Sequence, residues 1–256
     1  MERKTSFTVA LVQMNCEKGE IRQNLQTMQD YIAEARSRGA DFVCFPEMNL
    51  TGYIDPVKQP HAVISMDHEA VKQVIRYSAL HSICVIAGFV EHNPGGKPYI
   101  TQFVANDGEL LGCYRKKTIK EGEEQWFDPG AHLPVFSARG LRFGISICAD
   151  IDDPDIFRAY AEKGAAFIFE CAAPGLYGEQ ETRNWSSGFN WWRDKCRAQL
   201  GAYAAEQAVY IGTATQAGRT VDEDFPGGGY LFDPQGTCAA ESGDWGAGVL
   251  YVQVRI

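Results

Sequence analysis

The spacing of apolar residues predicts helices that alternate with short buried strands. One helical face repeats at intervals of four, three, four and three residues, in Ile21, Leu25, Met28, Ile32 and Ala35. Gly39 follows as a suitable helix stop. A second helix is expected after Asp67, which we predict as its cap, and its apolar face comprises Val71, Val74, Ile75 and Leu80.

Two further helices are predicted in the second half of the chain. Asp153 and Pro154 have the residue types of a helix cap and a first helical residue, and that helix should end near Gly164. Another helix is expected over residues 188–207. The chain therefore returns repeatedly from strand to helix, as α/β proteins do.

Short apolar runs predict the strands, at residues 9–12, 42–45, 83–90, 142–147, 166–170, 209–213, 230–232 and 249–254. Asn106-Asp107-Gly108 lies between two strand-like segments, 99–105 and 109–114, and predicts a hairpin. The chain has no repeat and no linker rich in Pro and Ser. We therefore expect one layered α/β domain over residues 1–256.

Composition and charge narrow the class of partner and the compartment. The net charge of -9 gives the chain no electrostatic reason to bind nucleic acid or an anionic membrane. No stretch approaches the ~20 apolar residues of a membrane span, and the run Val9–Val12 is too short for a signal peptide. The eight cysteines are scattered without a CxxC motif, which indicates free thiols and a cytoplasmic location.

Three predicted strands end in residues that together suit acyl transfer. Glu47 follows the strand at 42–45, Lys116 follows the strand at 109–114, and Cys148 follows the strand at 142–147. Ligands of open α/β sheets gather at the carboxyl ends of strands. Taken singly, Glu47 would suit a turn, Lys116 a solvated strand end and Cys148 a thiol packed in the core. Together they supply a base, a cation for an oxyanion and a nucleophile.

The residues around these three positions resemble a known family. FPEMNLTGY (45–53), YRKKTI (114–119) and GISICADIDDPDIF (144–157) resemble, in that order, the glutamate, lysine and cysteine motifs of the nitrilase-like carbon–nitrogen hydrolases. The similarity extends from about Thr8 to the C-terminus. The resemblance implies a four-layer α-β-β-α sandwich, a small amide-type substrate, no cofactor or metal, and a homodimer or larger homo-oligomer.

The resemblance also implies a role for each site residue. Glu47 would be the general base, Cys148 the nucleophile that forms a thioester, and Lys116 with the backbone N–H of Ala149 the oxyanion site. EEQWFDPG (123–130) resembles the segment with a second glutamate, for which we choose Glu123, with Glu124 as a close rival. The expected substrate-binding residues are Tyr53, Ala149 and Ala172.

Two expectations concern neighbours of these residues. Lys116 and Lys117 should point to opposite faces, so only one of them can reach the site, and the family spacing favours Lys116. Asp150, Asp152 and Asp153 should raise the pKa of Cys148, whereas a nearby ammonium and a helix N-terminus should lower it. Five aromatic residues are candidates for either a pocket or the core: Tyr53, Trp126, Tyr177, Trp185 and Trp191.

The chain departs from the family pattern around the pocket, at Thr118, Ala149, Asp155 and the Gly227-Gly228-Gly229-Tyr230 segment. These departures leave the substrate open among amides, N-carbamoyl compounds and nitriles, although Ala149 argues against a true nitrilase.

The sequence also bears on other classes of protein. Gly144-x-Ser146 hints at a serine hydrolase elbow, but Cys148 stands where that motif needs glycine. The five histidines form no ligand pair at helical spacing: His61, His68, His81, His92 and His132. The sequence is also compatible with an acyltransferase. A catalytically silent binding protein is another alternative, although the presence of Glu47, Lys116 and Cys148 together argues against it.

Overall fold

A computed structural model describes residues 4–120, 122–243 and 245–256. This part of the chain contains four α-helices, namely α1 (Ile21–Ser37), α2 (Glu69–Leu80), α3 (Pro154–Glu162) and α4 (Trp185–Gln207). Short 3-10 segments cover Pro60–Ala62 and Cys148–Asp152. Within the described residues, no helix is both long enough and apolar enough to span a bilayer.

The first half of the chain supplies strands β1 (Ser6–Gln13), β2 (Phe42–Cys44), β3 (Cys84–Glu91), β4 (Tyr99–Asn106) and β5 (Glu109–Arg115). The second half supplies β6 (Phe136–Ala138), β7 (Leu141–Ile147), β8 (Phe167–Ala172), β9 (Tyr210–Thr215), β10 (Ala217–Arg219), β11 (Asp224–Pro226), β12 (Tyr230–Phe232), β13 (Cys238–Glu241) and β14 (Gly248–Arg255). Two mixed six-stranded sheets result, ordered β14-β1-β2-β3-β4-β5 and β13-β12-β9-β8-β7-β6. Strands β10 and β11 form a separate small ribbon.

Three apolar layers hold the two sheets and the helices together. Side chains from both sheets meet in the central layer, where Phe143 contacts Phe42 and Phe169 at ring-centroid distances of 5.7 and 5.2 Å. A second layer joins the first sheet to α1 and α2. A third joins the second sheet to α3 and α4. The predicted four-layer α-β-β-α sandwich is confirmed.

The hairpin between β4 and β5 forms as predicted. Asn106 pairs with Glu109, so the loop consists of Asp107 and Gly108 alone. Both loop residues have positive φ, 49° and 87°. Asp and Gly tolerate that region better than most residues, which is why this dipeptide signals a hairpin.

Two details of α2 differ from the prediction. The cap is His68, whose ring accepts a hydrogen bond from the Ala70 N–H at 3.2 Å, whereas Asp67 binds Ser65 instead. Leu80 was assigned to the buried face, but it is 71% exposed because α2 ends there. Helix α4 begins at Trp185 rather than at 188, because Asn184 caps it by accepting the Ser187 N–H.

Candidate active site

The three predicted strand ends meet at one edge of the sandwich. β3 pairs parallel to β2, β4 antiparallel to β3, and β5 antiparallel to β4, so β5 ends at the same edge as β2. Glu47 and Lys116 therefore lie together, with the Lys116 Nζ 3.0 Å from Glu47 Oε1. Cys148 follows β7 in the facing sheet, and its side chain interacts with the Glu47 carboxylate.

The turn that carries Glu47 is held from both sheets. The Gln102 side chain donates to the Phe45 carbonyl oxygen at 3.1 Å. From the other sheet, the Ala173 N–H donates to Glu47 Oε2 at 3.0 Å. The turn also sits close to β3, where a Cβ at Gly88 would lie 2.9 Å from the Met48 nitrogen. These contacts fix the buried carboxylate in one position.

Lys116 lies between two carboxylates. Its Nζ lies 2.9 and 3.1 Å from the two oxygens of Glu123, in addition to its contact with Glu47. The Tyr53 hydroxyl donates a short hydrogen bond to Glu123, and the Lys120 N–H donates another at 3.1 Å. The ammonium therefore contacts both carboxylates inside the protein.

The structure separates the residues that the sequence left as rivals. Glu123 is buried beside Lys116, whereas Glu124 is exposed. Lys116 is 1% exposed, and Lys117 instead reaches Asp153 at the surface with an Nζ–Oδ2 distance of 2.9 Å.

Cys148 stands at a sharp turn from β7 into the 3-10 segment. Its φ is 46°, in the left-handed region that L-residues rarely adopt. The Asp150 carboxylate supports this turn by accepting the Ile147 N–H at 2.9 Å. It also accepts the Tyr114 hydroxyl at 2.6 Å and the Thr118 N–H at 2.8 Å. Asp150 therefore ties the cysteine turn to the lysine segment.

This linking role of Asp150 was not predicted from the sequence. A possible signal is its place two residues after Cys148, where an acidic side chain can bind the free N–H groups at the start of a helical turn.

Burial and pairing give the site groups distinct pKa values. Burial raises the pKa of Glu47 to about 7, although Lys116 opposes the shift. Burial also acts to raise the pKa of Glu123, but Lys116 and the Tyr53 hydroxyl outweigh it and lower that pKa. Burial opposes the charge of Lys116, yet Glu47 and Glu123 raise its pKa above the usual range. Lys116 and Glu123 are therefore charged at neutral pH. The pKa of Glu47 is close to neutral pH, so this side chain is present in both its protonated and its ionised form.

The pKa of Cys148 lies well above its ordinary value, chiefly because of burial and then because of Glu47. The three nearby aspartates, which are expected from the sequence to raise this pKa, are not among its main causes, whereas the Lys116 ammonium lowers it as expected. Asp152 binds Lys120, Lys195 and Gln199. Asp153 caps α3 by accepting the Asp155 N–H. The neutral thiol is thus the resting form, and a base is needed to activate it.

A cavity of about 530 Å³ opens over Cys148. Of the predicted contacts, Tyr53 and Ala149 line it, as do the aromatic candidates Tyr177 and Trp191. Ala172 does not line it, because its side chain lies in the apolar layer beneath α3 and α4. Further lining residues that sequence reasoning missed are Lys120, Ile151, Asp152, Pro174, Gly175, Trp192, Lys195 and Glu223.

Trp126 and Trp185 do not line this cavity, and each lines a different surface pocket. Among the described residues, no group of three or more His, Cys, Asp or Glu side chains is placed to hold a metal ion.

The sequence of residues 8–256 matches the carbon–nitrogen hydrolase family. The chain belongs to the carbon–nitrogen hydrolase family.

Two curated relatives differ in the share of their own length that this chain covers. The 2-oxoglutaramate amidase of Bacillus subtilis is 24% identical, over 93% of this chain and 86% of that protein. The glutamine-dependent NAD(+) synthetase of Acinetobacter baylyi is 31% identical, over 57% of this chain but only 27% of that protein. This hydrolase thus matches only about a quarter of the synthetase.

Among solved structures, an amidase from Nesterenkonia sp. is 25% identical with a TM-score of 0.82, covering 99% of this chain and 92% of that one. In a variant of the Nesterenkonia amidase, the acetamide moiety of fluoroacetamide is covalently attached at the active-site cysteine.

Proposed function

We propose that the enzyme hydrolyses the carbon–nitrogen bond of a small carboxamide through a thioester on Cys148. The observation that carries this proposal is the buried group of Glu47, Lys116 and Glu123 beside Cys148 at the base of the cavity. Together these residues supply a nucleophile, a base whose pKa is close to neutral pH, and a fixed positive charge.

In the first half of the proposed reaction, Glu47 takes the thiol proton and the Cys148 sulfur attacks the carbonyl carbon. Lys116 and the Ala149 N–H stabilise the oxyanion of the tetrahedral intermediate. The carbon–nitrogen bond then breaks as Glu47 returns its proton to the nitrogen, which leaves as ammonia or an amine.

In the second half, water attacks the thioester while Glu47 accepts one of its protons. The tetrahedral intermediate breaks the carbon–sulfur bond, the acid leaves, and the thiol regains a proton. Glu47 thus acts once as a base and once as an acid in each half. A carboxyl group with a pKa of about 7 suits both roles at neutral pH.

Glu123 is proposed as a positioning residue. It holds Lys116 with both oxygens and is itself held by Tyr53. The acetamide adduct of the Nesterenkonia enzyme supports the choice of a carboxamide over a nitrile.

The test is ammonia release from a panel of small amides, ω-amides, carbamoyl compounds and nitriles. Cys148→Ala should lose at least about 10³-fold in kcat/KM because it has no nucleophile. Cys238→Ala removes another half-buried free thiol, remote from the cavity, and should keep full activity. Equal ammonia release from Cys148→Ala and the wild type would refute the mechanism.

A further inference from the structure

The cavity above Cys148 is lined by two groups of charged side chains that the proposed mechanism does not use. One contains Lys120, Asp152 and Lys195, and the other contains Glu223. Charges that line the same cavity as the nucleophile contact whatever part of the substrate lies beyond the reacting carbonyl.

The first group has an excess of positive charge. Lys120 and Lys195 both pair with the single carboxylate of Asp152, at 2.5 and 2.6 Å. The Gln199 side chain donates a third hydrogen bond to the same carboxylate. Each ammonium has three N–H donors, so both lysines keep donors for another acceptor. The group carries a net charge of +1 and suits a carboxylate.

The second group has an excess of negative charge. Lys18 pairs with both Asp222 and Glu223, at 2.7 and 2.8 Å, so two carboxylates share one ammonium. Glu223 also lies directly on the backbone of the cavity wall, where a Cβ at Gly175 would meet its Oε1 at 1.7 Å. This group carries a net charge of -1 and suits an ammonium ion.

We propose, on the basis of the hydrolysis proposed above, that the substrate is an α-amino acid whose side chain ends in a carboxamide. Its carboxylate would bind Lys120 and Lys195, its ammonium would bind Glu223, and its carboxamide would reach Cys148. A purely anionic amide would meet the excess negative charge of the group that contains Glu223, and a purely cationic one would meet the excess positive charge of the two lysines. A zwitterion satisfies both groups.

The room available agrees with this assignment. A cavity of about 530 Å³ exceeds what acetamide fills, and it holds an amino acid of glutamine's size with space for water. Asp152 and Lys195 are each about a quarter exposed, at 25% and 26%, and Glu223 is 27% exposed. These three are therefore partly sheltered from bulk solvent yet open to a ligand, whereas Lys120, at 51%, is more exposed.

Four amides with the same reacting group test the proposal. L-glutamine carries both charges, glutaramate lacks the ammonium, 4-aminobutanamide lacks the carboxylate, and butanamide lacks both. Loss of one charged hydrogen-bonding group should lower kcat/KM about tenfold. Glutamine should therefore be the best of the four and butanamide the worst. L-asparagine is run alongside to allow for a shorter chain.

Two variants assign each charge to its partner. Glu223→Gln should bring the ratio of kcat/KM for glutamine over glutaramate down to about one, because the ammonium has lost its partner. Lys195→Met should do the same for glutamine over 4-aminobutanamide. Lys117→Met is the matched control, since this lysine pairs with Asp153 outside the cavity, and it should leave both ratios unchanged.

The possible failures are distinct. Equal kcat/KM for the four amides, each dependent on Cys148, would overturn the zwitterion proposal and leave the hydrolase proposal standing. The same holds if other amides are hydrolysed but neither glutamine nor asparagine is. Ammonia release that survives in Cys148→Ala would instead overturn the hydrolase proposal. Ratios that stay at about tenfold in Glu223→Gln and Lys195→Met would refute the assigned partners.

Discussion

At the scale of single residues, the site shows how surroundings separate two chemically identical side chains. Glu47 and Glu123 both contact Lys116, but burial raises the pKa of the first to about 7 while pairing lowers that of the second. Glu123 receives further hydrogen bonds from Tyr53 and from the Lys120 N–H, which favour its charged form. One glutamate is thereby suited to exchange protons and the other to stay charged.

The pH dependence of the reaction should report the shifted group. In the proposed mechanism Glu47 must be ionised to accept the thiol proton, so kcat/KM should rise as pH increases through about 7 and level off above it. The measurement is kcat/KM for one amide between about pH 5 and pH 9, with circular dichroism at each pH as the control for folding. A profile that is flat across this range would contradict Glu47 as the base.

The adjacent glutamates 123 and 124 provide a matched pair. Glu123→Gln removes the charge that holds Lys116 and should lower kcat about 10²-fold, with a smaller change in KM. Glu124→Gln changes an exposed residue and should stay within about twofold. Steady-state kinetics of both variants decide between them, and a larger loss in Glu124→Gln would reverse the assignment.

At the scale of elements, sequence patterns predicted most helices and strands but missed four short strands. The face of α1 and the hairpin around Asp107 formed as predicted, because they depend on local spacing and turn chemistry. Strands β6, β10 and β11 have three residues each, and β13 has four, too few to show a period.

The three motifs predicted that Glu47, Lys116 and Cys148 lie at one edge of the sandwich, but they could not identify every side chain around these residues. Lys195 and Glu223 lie far from the motifs in sequence, and only the packing of α4 and of the loop before β11 places them at the cavity. The expected substrate contact of Ala172 is not formed, because its side chain faces the helices. Neighbouring residues of a strand point to opposite faces, so a motif can place a strand without placing each of its side chains.

One prediction concerns the link between elements. Asp150 accepts hydrogen bonds from Tyr114 and Thr118 on one side and from the cysteine turn on the other. In Asp150→Asn an NH2 group replaces one of the accepting oxygens and faces some of these donors. The substitution should therefore lower the unfolding free energy by about 1–3 kcal/mol, and it should also lower kcat. Urea unfolding and kinetics measure the two effects. Asp30→Asn, at an exposed site on α1, is the control.

At the scale of the whole molecule, the site depends on the distance between two sheets. Glu47 and Lys116 belong to the first sheet and Cys148 to the second, so their contact requires the central apolar layer to keep both sheets in place. Phe143 lies within that layer, with Phe42, Phe136 and Phe169 around it. Core packing and catalytic geometry are therefore coupled.

Removal of the Phe143 ring tests how much the central layer stabilises the fold. Phe143→Ala should lower the unfolding free energy by about 3–5 kcal/mol through lost burial and a residual cavity. Leu80→Ala changes a side chain that is 71% exposed and should stay within about 0.5 kcal/mol. Denaturant unfolding of both variants makes the comparison, and a loss below about 1 kcal/mol in Phe143→Ala would show that the layer repacks.

The left-handed backbone of Cys148 bears on how this protein can change over evolution. A non-glycine residue with φ of 46° costs of order 1–3 kcal/mol, which glycine would largely avoid. Selection for thermal stability alone therefore favours glycine at position 148. If Cys148 is the nucleophile, as we propose, a lineage that no longer needed the reaction would gain stability by losing the cysteine, and retention of Cys148 in a descendant would indicate continued selection for activity.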